Sequence, residues 1–158
     1  MNTQFEYITK RRYHDNGQLQ SEFNYKDDKL DGEKKLWYPS GKLASEFNFK
    51  DGERDGMCRS YYNTGQIQWE AHYKDGKLDG VVYKWHLQYA GGRVICSEEI
   101  NYKDGEKDGF HFMWDTDGKL TYEETYIENV AYNGRQVPLR VISSRSWYNH
   151  KSYTKHNL

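Results

Sequence analysis

The chain has 158 residues, a formal net charge of -1, 35% hydrophobic residues and 16% aromatic residues. That length fits one domain, and apolar content carried by Tyr, Trp and Phe suits half-buried pleated sheet better than a thick aliphatic core. The charge balance argues against a nucleic-acid binder, and two cysteines, Cys58 and Cys96, give neither a disulfide framework nor a metal-type pair spacing.

In chain order, the opening stretch MNTQFEYITKRRY holds no apolar run of signal-peptide length. Nothing later approaches a membrane span, so a soluble, cytoplasmic protein is expected. A first hairpin is predicted around the loop DNG (15–17) and ends in YKDDKLDG (25–32). A second surrounds PSG (39–41) and ends in FKDGERDG (49–56), and a third surrounds NTG (63–65) and ends in YKDGKLDG (73–80). The fourth unit carries an insertion, HLQYAGGRVICSEE (86–99), where a bulge or a longer loop is expected. YKDGEKDG (102–109) and the loop TDG (116–118) follow, then a degraded copy, YIENVAYNGR (126–135).

Two glycine series run through these phrases. Gly32, Gly56, Gly80 and Gly109 close them, while Gly17, Gly41, Gly65, Gly92 and Gly118 lie in or near the loops. The shared step is 24 residues, broken only at the fourth unit, which means two turns and a pair of short strands per repeat. Glycine stands third in each loop and Pro39 first, which matches a type I turn followed by a left-handed glycine. In that register Tyr13 pairs with Leu19, Trp37 with Leu43, Tyr61 with Ile67 and Trp114 with Leu120, four aromatic–aliphatic cross-strand pairs. Continued by strict alternation, it collects Trp37, Phe47, Tyr61, Trp69, Phe112, Trp114 and Tyr122 on one aromatic face. Glu22, Asn24, Glu46, Asn48, Glu70 and Glu123 fall on a polar one.

The expected fold is all-β: an elongated, curled, single-layer antiparallel β-meander of about ten strands over residues 1–136. A basic tail, 137–158, follows, with VPLRVIS (137–143) a candidate capping strand and the rest expected to be flexible. Arg140, Arg145, Lys151 and Lys155 give that tail +4 with no acid, which leaves -5 on residues 1–136.

The phrases WYPSGKLASEFNFKDGERDG (37–56) and YYNTGQIQWEAHYKDGKLDG (61–80) resemble the MORN repeat. The variant is the bacterial one found in the YwqK family of toxin–antitoxin antitoxins, and the likeness spans roughly residues 10–135. Asp28 departs from it where glycine is usual. The resemblance implies a curled sheet used for protein or membrane contact and, in this branch, neutralisation of a toxin.

A search for chemistry finds no carrier. Asp31, Asp55 and Asp79 recur two strands apart, about 10 Å, too far to share a cation whose ligands lie within about 2.6 Å, and they read as turn residues that bond their own backbone. Glu22, Glu46, Glu70 and Glu123 form a ladder of the same period, expected to pair with neighbouring strand groups or to read a basic partner. Histidines 14, 72, 86, 111, 150 and 156 match no zinc-protease motif, no serine sits in a nucleophile elbow, and no glycine-rich phosphate loop occurs. No metal, no cofactor and no enzymatic activity are expected.

A single-layer sheet leaves its aromatics to be covered by the curl, the tail, another copy or a partner. The expected function is therefore a non-catalytic protein-binding module, an immunity or antitoxin protein that binds a cognate toxin. Trp37, Tyr61, Trp69, Trp85 and Trp114 would serve as anchors, with Glu46 and Glu70 as charges. The alternative is a MORN-type scaffold or membrane-peripheral adaptor. Nucleic acid is not an expected partner and membrane an improbable one, because anionic lipid requires clustered cations and only the tail supplies them unopposed.

Overall fold

A computed structural model describes residues 6–87 and 94–131. Each sequence unit folds as a hairpin on the loops named above. In chain order the strands are β1 Tyr7–Tyr13, β2 Leu19–Lys26, β3 Lys29–Trp37, β4 Leu43–Lys50, β5 Glu53–Tyr61, β6 Ile67–Lys74, β7 Lys77–Leu78, β8 Gly80–Leu87, β9 Val94–Lys103, β10 Glu106–Trp114, β11 Leu120–Ile127 and β12 Val130–Ala131. They form one open antiparallel sheet in sequential order, with β7 pairing β6 beside β8. The twelve strands exceed the expected ten because β7 separates from β8 at Asp79 and because the degraded last copy still forms the β11–β12 hairpin. No helix and no second layer occur among the described residues.

The three-residue loops fold as their glycines require. Gly17, Gly41, Gly65 and Gly118 sit at φ of +82°, +80°, +100° and +80°. The four aromatic–aliphatic pairs Tyr13–Leu19, Trp37–Leu43, Tyr61–Ile67 and Trp114–Leu120 form in the expected register. The longer step of the fourth unit lengthens its hairpin, in which His86 pairs with Ile95 and Leu87 with Val94 beyond the Trp85–Cys96 pair.

The other turns differ from expectation. They lie at the first glycine of each phrase, as two-residue turns with both central residues at positive φ: Asp51–Gly52, Asp75–Gly76 and Asp104–Gly105, with Asp27–Asp28 and Glu128–Asn129 in the outer hairpins. That is the type I′ geometry, whose twist matches that of the flanking strands. The closing glycines Gly32, Gly56 and Gly109 instead sit inside a strand, at a wide bulge. Two extra residues there oppose Asn24, Asn48 and Asn101, whose side-chain amides donate to the carbonyls of Glu33 (2.7 Å), Met57 (2.6 Å) and Phe110 (2.9 Å). Asp31 and Asp55 do not bond their own backbone. Their carboxylates accept from the amides of Asp51 (3.2 Å) and Asp75 (3.3 Å), one hairpin further on.

Adjacent units are tied by a second ladder. His14 Nε2 donates to the carbonyl of Trp37 (2.9 Å), Tyr38 Oη to that of Tyr61 (2.6 Å) and Tyr62 Oη to that of Trp85 (2.5 Å). The buried apolar residues are small and few: Cys58, Ala71, Val82 and Ile100. Trp69, Tyr73, Leu78 and Tyr102 pack around the last three of them on one face. A side chain fully buried in a single layer must be covered by longer neighbours on its own face, and these aromatics supply that cover. The possible capping strand 137–143 and the rest of the basic tail lie outside the described residues.

Candidate functional site: two unlike faces

The single aromatic face expected from strict alternation does not exist. Beside each three-residue loop the returning strand carries one unpaired residue, Gln20, Ala44, Gln68 and Thr121, and Ser97 is likewise unpaired in β9. Trp37 pairs with Leu43, for instance, but Leu36 pairs with Ser45 and Lys35 with Glu46. One extra residue inverts the parity of everything beyond it. Trp37, Tyr61 and Trp114 therefore leave the face of Phe47 and Trp69 and join that of the glutamates.

The glutamate face is held by a charged network. Arg59 Nε donates to Glu70 (2.7 Å), its Nη1 reaches Glu46 at 3.5 Å, and Tyr61 Oη donates to the same Glu46 oxygen at 2.7 Å. Arg59 and Tyr61 are two residues apart on β5, so both side chains leave the sheet on that side. Burial, with the hydrogen bond to the Glu46 carboxylate, pushes the Tyr61 phenol up to about 12. The hydrogen bond that Arg59 donates to Glu70 holds its guanidinium more firmly protonated, against a smaller effect of burial. Glu22 is bound by Arg11 at 2.6 Å.

Aromatics continue the same face. Tyr83 pairs with Glu70, and its ring centroid lies 5.7 Å from that of Trp85. Phe110, Phe112 and Trp114 line up along β10 with centroids 5.6 and 5.8 Å apart, and Phe112 pairs with both Glu99 and Glu123. Burial raises the Glu99 carboxyl. Cys96, opposite Trp85, has its thiol pushed up to about 11 by burial and by Glu99 beside it.

Of the seven sequence-predicted partner-binding residues, Trp37, Tyr61, Trp85, Trp114, Glu46 and Glu70 share this face. Trp69 lies on the other, paired with Ser60 and Lys84. Arg59, which joins the two glutamates, escaped sequence reasoning. Its position between Glu46 and Glu70 in the pairing was the signal.

The opposite face is cationic and aromatic over its first five strands. Lys10 pairs with Phe23, Phe23 with Lys34, Lys34 with Phe47 and Phe47 with Cys58. Lys10 Nζ sits 4.5 Å from the Tyr25 ring centroid, Lys34 Nζ 5.0 Å from that of Phe23, and the Arg54 guanidinium 5.0 Å from that of Phe47. Further along, Glu98 receives Lys84 (2.5 Å) and His111 Nε2 (2.8 Å). Burial works to raise the Glu98 carboxyl, but these two hydrogen bonds hold it below the usual carboxylate range. Among the described residues no group of three or more His, Cys, Asp or Glu is placed to hold a metal ion.

Residues 8–27, 30–51 and 54–75 each match the family model described as MORN repeat variant. Over this part the chain is similar to MORN repeats. Each matched MORN segment covers one three-residue-loop hairpin: β1–β2, β3–β4 and β5–β6. The β8–β9 and β10–β11 hairpins, outside the matched segments, carry the same one-residue bulge at Ser97 and Thr121. No curated protein matches the chain.

Proposed function

We propose that the protein acts by binding, and that the glutamate face is the contact surface for a basic protein partner, a cognate toxin that it neutralises. The observation that carries this reading is the grouping of Trp37, Tyr61, Trp85 and Trp114 with Glu46 and Glu70 on one side of a rigid sheet. Half-buried aromatic anchors set among charges have the composition of an interface centre and its rim. The acidic residues would steer a basic cleft onto the anchors and make association salt-sensitive. The MORN-type repeats support a scaffold built for contact, and the antitoxin role rests on the sequence resemblance given above. Pull-down of the adjacent gene's product, followed by co-expression and growth rescue, tests it. A 1:1 complex with rescue is expected, lost when Trp37→Ala is combined with charge reversal at Glu46 and Glu70. Rescue that survives the combined variant sinks the reading.

A further inference from the structure

The cationic face is independent of that reading, because it lies on the other side of the sheet and shares none of its residues. Lys10, Arg12, Lys34 and Arg54 come from β1, β3 and β5, each separated from the next by a strand bearing Phe23 and Tyr25 or Phe47 and Phe49. None of the four cations has a carboxylate within ion-pair distance among the described residues. Contact with a ring holds a cation in place without neutralising it. At the sheet edge, Lys10, Arg11, Arg12, Phe23 and Tyr25 line a recess of about 440 Å³.

The spacing selects the kind of anion. Cation-bearing strands recur at two strand separations, about 10 Å. A polyproline II chain turns once every three residues and rises about 9 Å in doing so, so every third side chain faces the same way at nearly this interval. An extended β segment would send every second residue to one side at about 7 Å and would lose step after one repeat. Phe23, Tyr25, Phe47 and Phe49 lie between the cations and hold them over their faces, which fixes the charges at this interval. We propose that this face binds an acidic segment in the polyproline II conformation, laid across β1 to β5, with a carboxylate at every third residue meeting Lys10 or Arg12, then Lys34, then Arg54.

Stacked bases would need ring faces that Lys34 and Arg54 already cover, which favours a peptide over single-stranded nucleic acid. The test is titration of the full chain with a fluorescent peptide of four Glu-Pro-Ala triplets, against a peptide of the same composition with its glutamates contiguous. The spaced peptide is expected to bind about tenfold more tightly and to weaken as salt rises. Lys34→Glu with Arg54→Glu should abolish that binding. Lys10→Glu with Arg12→Glu, on the fully exposed β1, should weaken it while leaving thermal unfolding unchanged. Equal affinity for the two peptides, or binding indifferent to both double variants, overturns the proposal. So does tighter binding of oligothymidylate or phosphatidylserine vesicles through the same residues.

Discussion

Tyr61 and Glu46, on adjacent strands and joined by a 2.7 Å hydrogen bond, share a face because Glu46 pairs with Arg59 and Tyr61 lies two residues further along β5. The bond makes the first test of the network on the glutamate face. Tyr61→Phe should cost about 1.5–3 kcal/mol, the range for a hydrogen bond to a charged group. The phenol is raised in the folded state from 10.0 to about 12, so its contribution is complete below pH 10 and is lost as pH rises toward 12. Urea unfolding at pH 8 and pH 11.5 should show the gap between wild type and variant narrowing at the higher pH. A gap that widens there refutes the assignment.

Glu98 behaves in the opposite sense. Its carboxyl is held below the ordinary 4.5 by Lys84 and His111 against the pull of burial, so its contribution is present above that value and lost as pH falls through the folded one. Glu98→Gln should destabilise the protein by about 1–3 kcal/mol at pH 7, because two donors lose their charged acceptor. Thermal melts of both proteins should converge as pH falls well below the ordinary carboxylate value.

The two kinds of glycine predict different costs. At Gly109, with φ of +116°, an added Cβ would come within 2.9 Å of Asn101 Cβ, whereas at Gly17, with φ of +82°, it would meet nothing within 4 Å. Gly17→Ala should cost about 1 kcal/mol, the left-handed penalty alone, and Gly109→Ala clearly more. Asp28 occupies the position held by Gly52, Gly76 and Gly105 in the other type I′ turns, at φ of +63°. Asp28→Gly should stabilise by about 0.5 kcal/mol. Chemical denaturation of the three variants ranks them.

Neither thiol should react in the folded protein. Cys58 is 0% exposed, and the Cys96 thiol, at about 11, yields almost no thiolate at pH 8. Titration with an aromatic disulfide should count no thiols under native conditions and both in guanidinium. Prompt native labelling of Cys58 would contradict the packing around it.

What the sequence made legible was whatever is encoded locally. Glycine third in PSG or NTG demands a left-handed residue, and that alone sets the loop and the Trp37–Leu43 register. The faces were not legible, because an unpaired Ala44 or Gln68 looks like any other strand residue. Leu43 to Phe47 reads as unbroken alternation, yet Trp37 and Phe47 end on opposite sides. The Asp-Gly pairs were read as one turn signal with the closing glycine, although the two glycines have separate tasks, a type I′ turn and a bulge against an asparagine. The Lys10–Phe23–Lys34–Phe47 row could be found only after the pairing was known, since its members lie 11 to 13 residues apart in the chain.

The bonds from His14, Tyr38 and Tyr62 each reach a backbone carbonyl in the hairpin that follows, and in no case one further away. A carbonyl carries no side-chain identity, so each unit recognises only that a successor is present. Excision of residues 38–61 would join Trp37 to Tyr62 and leave both His14 and Tyr62 their acceptors. The molecule is built like a ruler whose length can be altered by whole graduations, set by how many repeats the gene retains.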